Sequence, residues 1–207
     1  MAGGGALPSL FARRARAQSI GPLVPDPDGI LDLPEGFTYT ILDRKGDEMN
    51  DGFTVPGRPD GMAAFALGGG QIALMRNHEL SRIDVLDAAW GPFGAPDEAF
   101  DGSAYGGVTR LVIDPQTLEV VSSNLTIAGT IRNCAGGPSP WGWLTCEEDV
   151  SSGHGYVFAA PADADSVRSV EPIRGYGRFN HRRAPPRPRP RAPPCRRAAL
   201  PSWPGPR

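Results

Sequence analysis

GGVTRLVIDPQTLEVVSSNLTI, running from Gly106 to Ile127, reads as an antiparallel hairpin. Val, Leu, Ile and Thr dominate both arms, and these side chains suit a pleated, half-buried surface. Asp114-Pro115-Gln116-Thr117 supplies the turn between them: proline presets its φ, and the aspartate accepts hydrogen bonds from backbone just ahead of it. Strands are expected at Val108–Ile113 and Leu118–Ile127.

Working outward, the same grammar recurs. QIALM, Gln71 to Met75, leaves Gly68-Gly69-Gly70 and runs into Arg76-Asn77-His78-Glu79. WGWLT, Trp141 to Thr145, runs into Cys146-Glu147-Glu148-Asp149, and a further strand is expected from Gly155. An earlier strand is expected at Phe37–Leu42, bounded by Pro34-Glu35-Gly36. Ser81 to Tyr105, rich in Gly, Pro and Asp, reads as a long loop, and loops of that length usually serve a function. No long stretch has the 3.6-residue period of a helix, so the fold class is all-β. Each apolar strand delivers acids or amides at its C-terminal end. Glu79 and Glu148 lie 69 residues apart, about one and a half repeats of the roughly 40 to 50 residues in a propeller blade. Inner strands of a propeller line a central channel, where groups at their ends converge. A β-sandwich is the structural alternative.

Composition divides the chain. The 207 residues carry 21 basic and 23 acidic side chains, but residues 182–207 hold eight Arg, nine Pro and no acid, leaving 13 basic and 23 acidic residues before them. The acidic body suits cations and disfavours nucleic acid. No run approaches the roughly 18 apolar residues of a membrane span. Residues 1–19 read as an export-signal remnant or a disordered leader, because Ala15-Arg16-Ala17 matches a signal-peptidase site without a charged region before it. Residues 20–181 are then the β body and 182–207 a Pro/Arg-rich disordered tail. Cys134, Cys146 and Cys195 form no disulfide framework; the first two read as a pair that is either bridged or buried as thiols.

Three constellations could carry chemistry. Asn77-His78-Glu79 offers an amide, an imidazole and a carboxylate, of which Asn77 and Glu79 share a strand face; oxygen donors of this kind hold calcium. NCAGGPSPWGWLTCEED, Asn133 to Asp149, brings Cys134 towards Glu147 and Glu148, and a thiolate with carboxylates suits iron. The alternatives are a solvated strand end and an exposed acidic turn. Asn180-His181 repeats the Asn77-His78 pair, followed by Arg182 in place of Glu.

LPEGFTYTILDRKGD, VPGRPDGMAAF, RNHE, GGVTRLVIDPQTLEVV, NCAGGPSPWGWLTCEED, GHGYVFAAP and GRFNH, in this order between Leu31 and His181, resemble the PhoX-type alkaline phosphatase family, also called DUF839. The resemblance implies a six-bladed β-propeller, of which this chain holds the N-terminal part, exported by the twin-arginine route to the periplasm or beyond and acting as a monomer. It implies phosphomonoester hydrolysis with iron and calcium. By the same resemblance Cys134 and Glu148 are expected to hold metal, with Glu147 a further candidate, Asn77 and Glu79 near the ions and Cys146 structural. PWGWLT is one residue shorter than the family pattern, and Arg182 stands where that pattern implies a ligating glutamate, so this chain is expected to be an inactive fragment.

Two other readings compete. One is a non-catalytic calcium-binding or protein-binding propeller module. The other takes the Arg/Pro tail as a nucleic-acid arm, since such segments are extended and can release counterions. The tail has one aromatic residue, Trp203, and so no stacking pattern. With one lysine against 20 arginines in the chain, the coding DNA is expected to be rich in G and C, and an out-of-frame reading of such DNA yields Arg, Pro, Ala and Gly. A frameshift after His181 is therefore expected.

Overall fold

The computed structural model describes residues 21–91 and 94–181. The leader, the tail and Cys195 lie outside them. Strands and short 3₁₀ turns make up all the regular structure of the described residues, with no α-helix. Three antiparallel sheets result, none closed into a barrel.

The segment ending at Ile41 forms a unit of its own. It holds a two-stranded ladder, β1 (Leu23–Val24) with β2 (Leu33–Pro34). Asp26 organises it, accepting hydrogen bonds from the N–H groups of Asp28, Ile30 and Leu31 and from the Tyr39 hydroxyl at 2.7 Å. The strand expected at Phe37–Leu42 is absent. Phe37 and Ile41 stay exposed, so the alternation there finds no apolar surface to bury against and no ladder forms.

The second unit begins at Leu42. Its larger sheet is a meander of β3 (Pro59–Ala66), β4 (Ile72–His78), β5 (Gly106–Ile113) and β6 (Val120–Thr130), each strand paired with its successor. The smaller sheet continues the pattern with β7 (Asn133–Ser139), β8 (Gly142–Glu147) and β9 (Val157–Pro161). The hairpin around Asp114-Pro115 is thus β5 and β6, in the expected place. The first strands of the two sheets, β3 and β7, are neighbours. Gly61 permits this approach: a Cβ there would lie 2.8 Å from the Cys134 carbonyl oxygen.

Apolar side chains fill the space between the sheets. Ala73 and Met75 of β4, Val108 of β5 and Ile127 of β6 meet Trp143 of β8 and Phe158 of β9. The outer face of the larger sheet buries Leu125 and Ala128 under Met49, Val55 and Trp90. Leu144, Cys146 and Val157 on the smaller sheet pack against Ile173 and Tyr176. The loop from Ser81 to Tyr105 closes onto the end of β6, where Phe100 and Asp101 donate backbone hydrogen bonds to Ala128 and Gly129 at 3.0 and 3.1 Å. Gly129 has φ +76°, and a Cβ there would meet the Asp101 nitrogen at 2.6 Å. Here glycine is needed twice over, for backbone conformation and for space.

Candidate functional site

The β3–β4 and β7–β8 hairpins share one construction. In the first, Pro59 pairs with His78 and Met62 with Arg76; in the second, Asn133 pairs with Glu147 and Gly136 with Thr145. Each ladder therefore sets three steps on its first strand against two on its second. This is a β-bulge, a device that re-aims side chains beside functional sites. Asp60 occupies the first bulge and Cys134 the second.

The second strand of each hairpin ends one residue before an acid, Glu79 after β4 and Glu148 after β8. The N–H of Glu79 donates to the Arg58 carbonyl at 2.9 Å, and that of Glu148 to the Arg132 carbonyl at 3.0 Å. Arg58 and Arg132 immediately precede their bulged strands, and both adopt left-handed backbone, φ +49° and +47°. Arg58, Asp60 and Glu79 are in this way the structural counterparts of Arg132, Cys134 and Glu148.

The two sets converge. Donor atoms of Asp60, Glu79 and Cys134 all lie within 4.8 Å of one another, on half-buried side chains. The Cys134 thiol also hydrogen-bonds the Glu148 carboxylate. Burial first, then that hydrogen bond and the neighbouring carboxylates, push the thiol up to about 11. Three carboxylates around a thiol repel one another and oppose thiolate formation, and a cation reverses both effects. Arg132 compensates part of the charge, its Nη2 standing 3.2 Å from Glu79 Oε1. Carboxylate oxygens suit hard cations and a thiolate suits iron, so the residues present fit a metal of either kind.

Of the residues singled out from sequence, Cys134, Glu79 and Glu148 come together here. Asn77 lies behind them, fully buried. Its amide donates to the carbonyls of Cys134 and Ala135 at 3.3 and 3.0 Å, while Oδ1 accepts from Trp143 Nε1 at 2.7 Å and Thr145 Oγ1 at 2.8 Å. The side chain is spent on holding the Cys134 bulge. Outer contacts of this kind typically govern about ten- to a hundredfold of metal affinity. Asn77→Ala is accordingly expected to weaken metal binding by about tenfold or more while every donor remains, as read by titration calorimetry.

Glu147 points the other way and is wholly buried. Oε1 accepts from the Ile131 N–H at 3.0 Å and from His154 Nδ1 at 2.6 Å; Oε2 accepts from the Gly155 and Tyr156 N–H groups at 2.7 and 3.1 Å. His154 Nε2 continues to Asp101 Oδ2 at 3.0 Å, and Asp101 also receives Arg82 at 2.7 Å. Burial disfavours the imidazolium of His154, but the bonds to Glu147 and Asp101 outweigh it and raise its pKa. The position equivalent to Glu147 in the first hairpin is His78. Its Nδ1 lies 2.8 Å from the Gly57 carbonyl oxygen, so Nδ1 carries the proton and Nε2 accepts from Thr109 Oγ1 at 2.8 Å. Burial depresses its pKa to about 4. Gly57 and Ile131 each precede an arginine turn, so both hairpins tie that turn down by the buried residue before the acid.

Cys146 is a free thiol, as is Cys134, which settles the pair as thiols; burial pushes Cys146 up to about 12. His181 donates its backbone N–H to the Glu147 carbonyl at 2.9 Å and sets its ring against Phe179. Asp60 was not legible from the sequence. The available signal was the similarity of Arg58-Pro59-Asp60-Gly61 to Arg132-Asn133-Cys134-Ala135, each about 20 residues or fewer before its acid.

Fold and site together describe an all-β protein whose paired hairpins present a donor set fit for a cation. The chain belongs to a metal-dependent phosphatase family: the alkaline phosphatase PhoX family model matches residues 18–124 and 116–189. No curated protein and no solved structure gives a significant match.

Proposed function

We propose that Asp60, Glu79, Cys134 and Glu148 are this chain's share of a metal centre that hydrolyses phosphomonoesters, with iron at the thiolate and calcium at the carboxylates. Convergence of donors from two equivalent hairpins carries the reading. The two sheets are taken as successive blades of a six-bladed propeller, since their first strands adjoin as inner strands do around a channel. Export to the periplasm and a monomeric state complete the proposal; no described helix is long and apolar enough to cross a membrane.

Within the centre, Glu79 and Glu148 hold position through the arginine carbonyls, and Asn77 fixes the Cys134 bulge. When bound, the metal supplies positive charge against the phosphoryl oxygens and acidifies water for attack on phosphorus. The wall of Trp143 and Thr145 behind Asn77 keeps solvent from the rear of the site.

Arg182 follows Asn180-His181 where the family pattern implies a glutamate, which favours a second reading: an ion-binding module without turnover. One preparation separates the two. The full chain, loaded with iron and calcium, is expected to bind metal under both readings, and p-nitrophenyl phosphate left intact would favour the ion-binding module. Turnover above that of Cys134→Ala would establish an active enzyme, and loss of metal binding in the wild type would remove both readings.

A further inference from the structure

Arg58 and Arg132 occupy the same place in their hairpins, both with positive φ. L-residues rarely adopt that backbone, and where a non-glycine does, function is a common cause. The third described case, Leu118, sits in the β5–β6 turn, away from these hairpins. The two arginines diverge in what their guanidinium groups do. Arg58 is committed to the following loop, with Nη2 2.8 Å from Asp84 and Nε 3.6 Å from Asp87. Arg132 turns to the donor cluster, its Nη2 3.2 Å from Glu79 Oε1, and its charge also helps hold the Asp149 carboxyl below the usual range.

The geometry points to Arg132 as the group that receives the phosphoryl oxygens of the substrate, a role resting on the phosphomonoesterase reading above. A guanidinium offers five N–H donors in a planar fork, and that fork matches two oxygens of a phosphate. One of its nitrogens is engaged at 3.2 Å, and 47% of the side chain is exposed. Its backbone is clamped on both sides: the Arg132 N–H donates to the Leu80 carbonyl at 2.7 Å, and its carbonyl accepts from Glu148 at 3.0 Å. The preceding residue, Ile131, is pinned by Glu147. The fork is thus held ready beside the donors instead of being gathered on binding. It also answers an electrostatic difficulty. Asp60, Glu79 and Glu148 would repel a phosphate dianion at the approach to the metal, and a cation at the rim offsets that repulsion. As a mere counter-charge to Glu79, Arg132 would affect metal uptake and leave phosphate binding untouched.

The test uses the full chain loaded with metal and titrated calorimetrically with inorganic phosphate. Arg132→Gln is expected to bind metal within about threefold of wild type and phosphate about tenfold or more weaker, the range of a lost charge-assisted pair. Arg132→Lys should restore part of the affinity, because charge returns without the fork. Should Arg132→Gln fold poorly, Arg132→Gly suits the left-handed backbone and reports the same loss. Wild-type phosphate affinity in folded Arg132→Gln or Arg132→Gly overturns the role of Arg132 alone, whereas no phosphate binding by metal-loaded wild type overturns that role and favours the ion-binding module. Failure of the wild type to take up metal overturns the metal-centre reading and this role with it.

Discussion

Glu147→Ala is expected to lower the stability of the chain by about 4 kcal/mol or more. The carboxylate accepts from three backbone N–H groups and from His154, and it has no exposed surface. Truncation leaves those donors buried without an acceptor, at roughly 1–3 kcal/mol for each group that water cannot reach. Against a total stability of about 5–15 kcal/mol for a domain, the loss is enough to leave much of the protein unfolded. Urea unfolding followed by circular dichroism reads it. Glu147→Gln should fall between, because an amide oxygen can serve either the Ile131 side or the Gly155 and Tyr156 side, and its NH₂ group faces donors on the other. An alanine variant as stable as wild type would show that the network contributes nothing.

The same network gives stability a pH dependence of known sign. His154 has a folded pKa above its unfolded value of about 6.5. Its contribution is therefore complete below about pH 6.5 and is lost as pH rises through the folded value. Asp101 acts in the opposite sense. Partial burial works against its carboxylate, but hydrogen bonds from Arg82, His154 and Ser103 hold the pKa well below the usual range, so its contribution is lost as pH falls. In His154→Gln the alkaline decline of the urea midpoint should disappear while the acid decline remains.

Asp60→Asn is expected to weaken metal binding by about a hundredfold or more, beyond the ten- to hundredfold typical of outer contacts. The substitution keeps volume and the bulge but removes one negative charge and one strong donor within 4.8 Å of Glu79 and Cys134. Neutralising a neighbour also relieves repulsion, so folding stability should hold or rise slightly while affinity falls. Titration calorimetry with calcium, paired with thermal unfolding of the metal-free chain, separates the two effects. Unchanged affinity would place the ion elsewhere.

Strands with strong β-formers were legible. The β5–β6 hairpin, β4 and β8 lie close to where their Val, Ile, Leu and Trp content puts them. Besides the two-residue β1 and β2, the missed strands are β3 and β7, PDGMAAFA and NCAGGPS. Gly, Pro and Ala carry little β-propensity and read as loop. They form strands because each pairs with a well-specified neighbour and because small side chains let the two backbones approach. A Cβ at Gly136 would lie 2.0 Å from the Leu144 carbonyl oxygen. The same feature hid Asp60: a donor in a bulge on an unrecognised strand shows only in the likeness of its arginine-led turn to the one before Cys134. Asn77 and Glu147 were visible as polar residues at strand ends, but their orientation depends on register and bulge, which single-sequence periodicity does not give. Family motifs brought Cys134 and Glu148 to attention, and the geometry adds how their turn is held.

The paired bulges separate two kinds of information. Backbone path, arginine turn and acid are common to both hairpins, while the residue in the bulge is an oxygen donor in one and a sulfur donor in the other. Hardness of the donor can thus differ between repeats without disturbing the frame that aims it. Under the proposed metal centre, preference among ions would be concentrated at one position per hairpin, so that a lineage of such repeats could diversify its inorganic chemistry by single substitutions while its architecture stays constant.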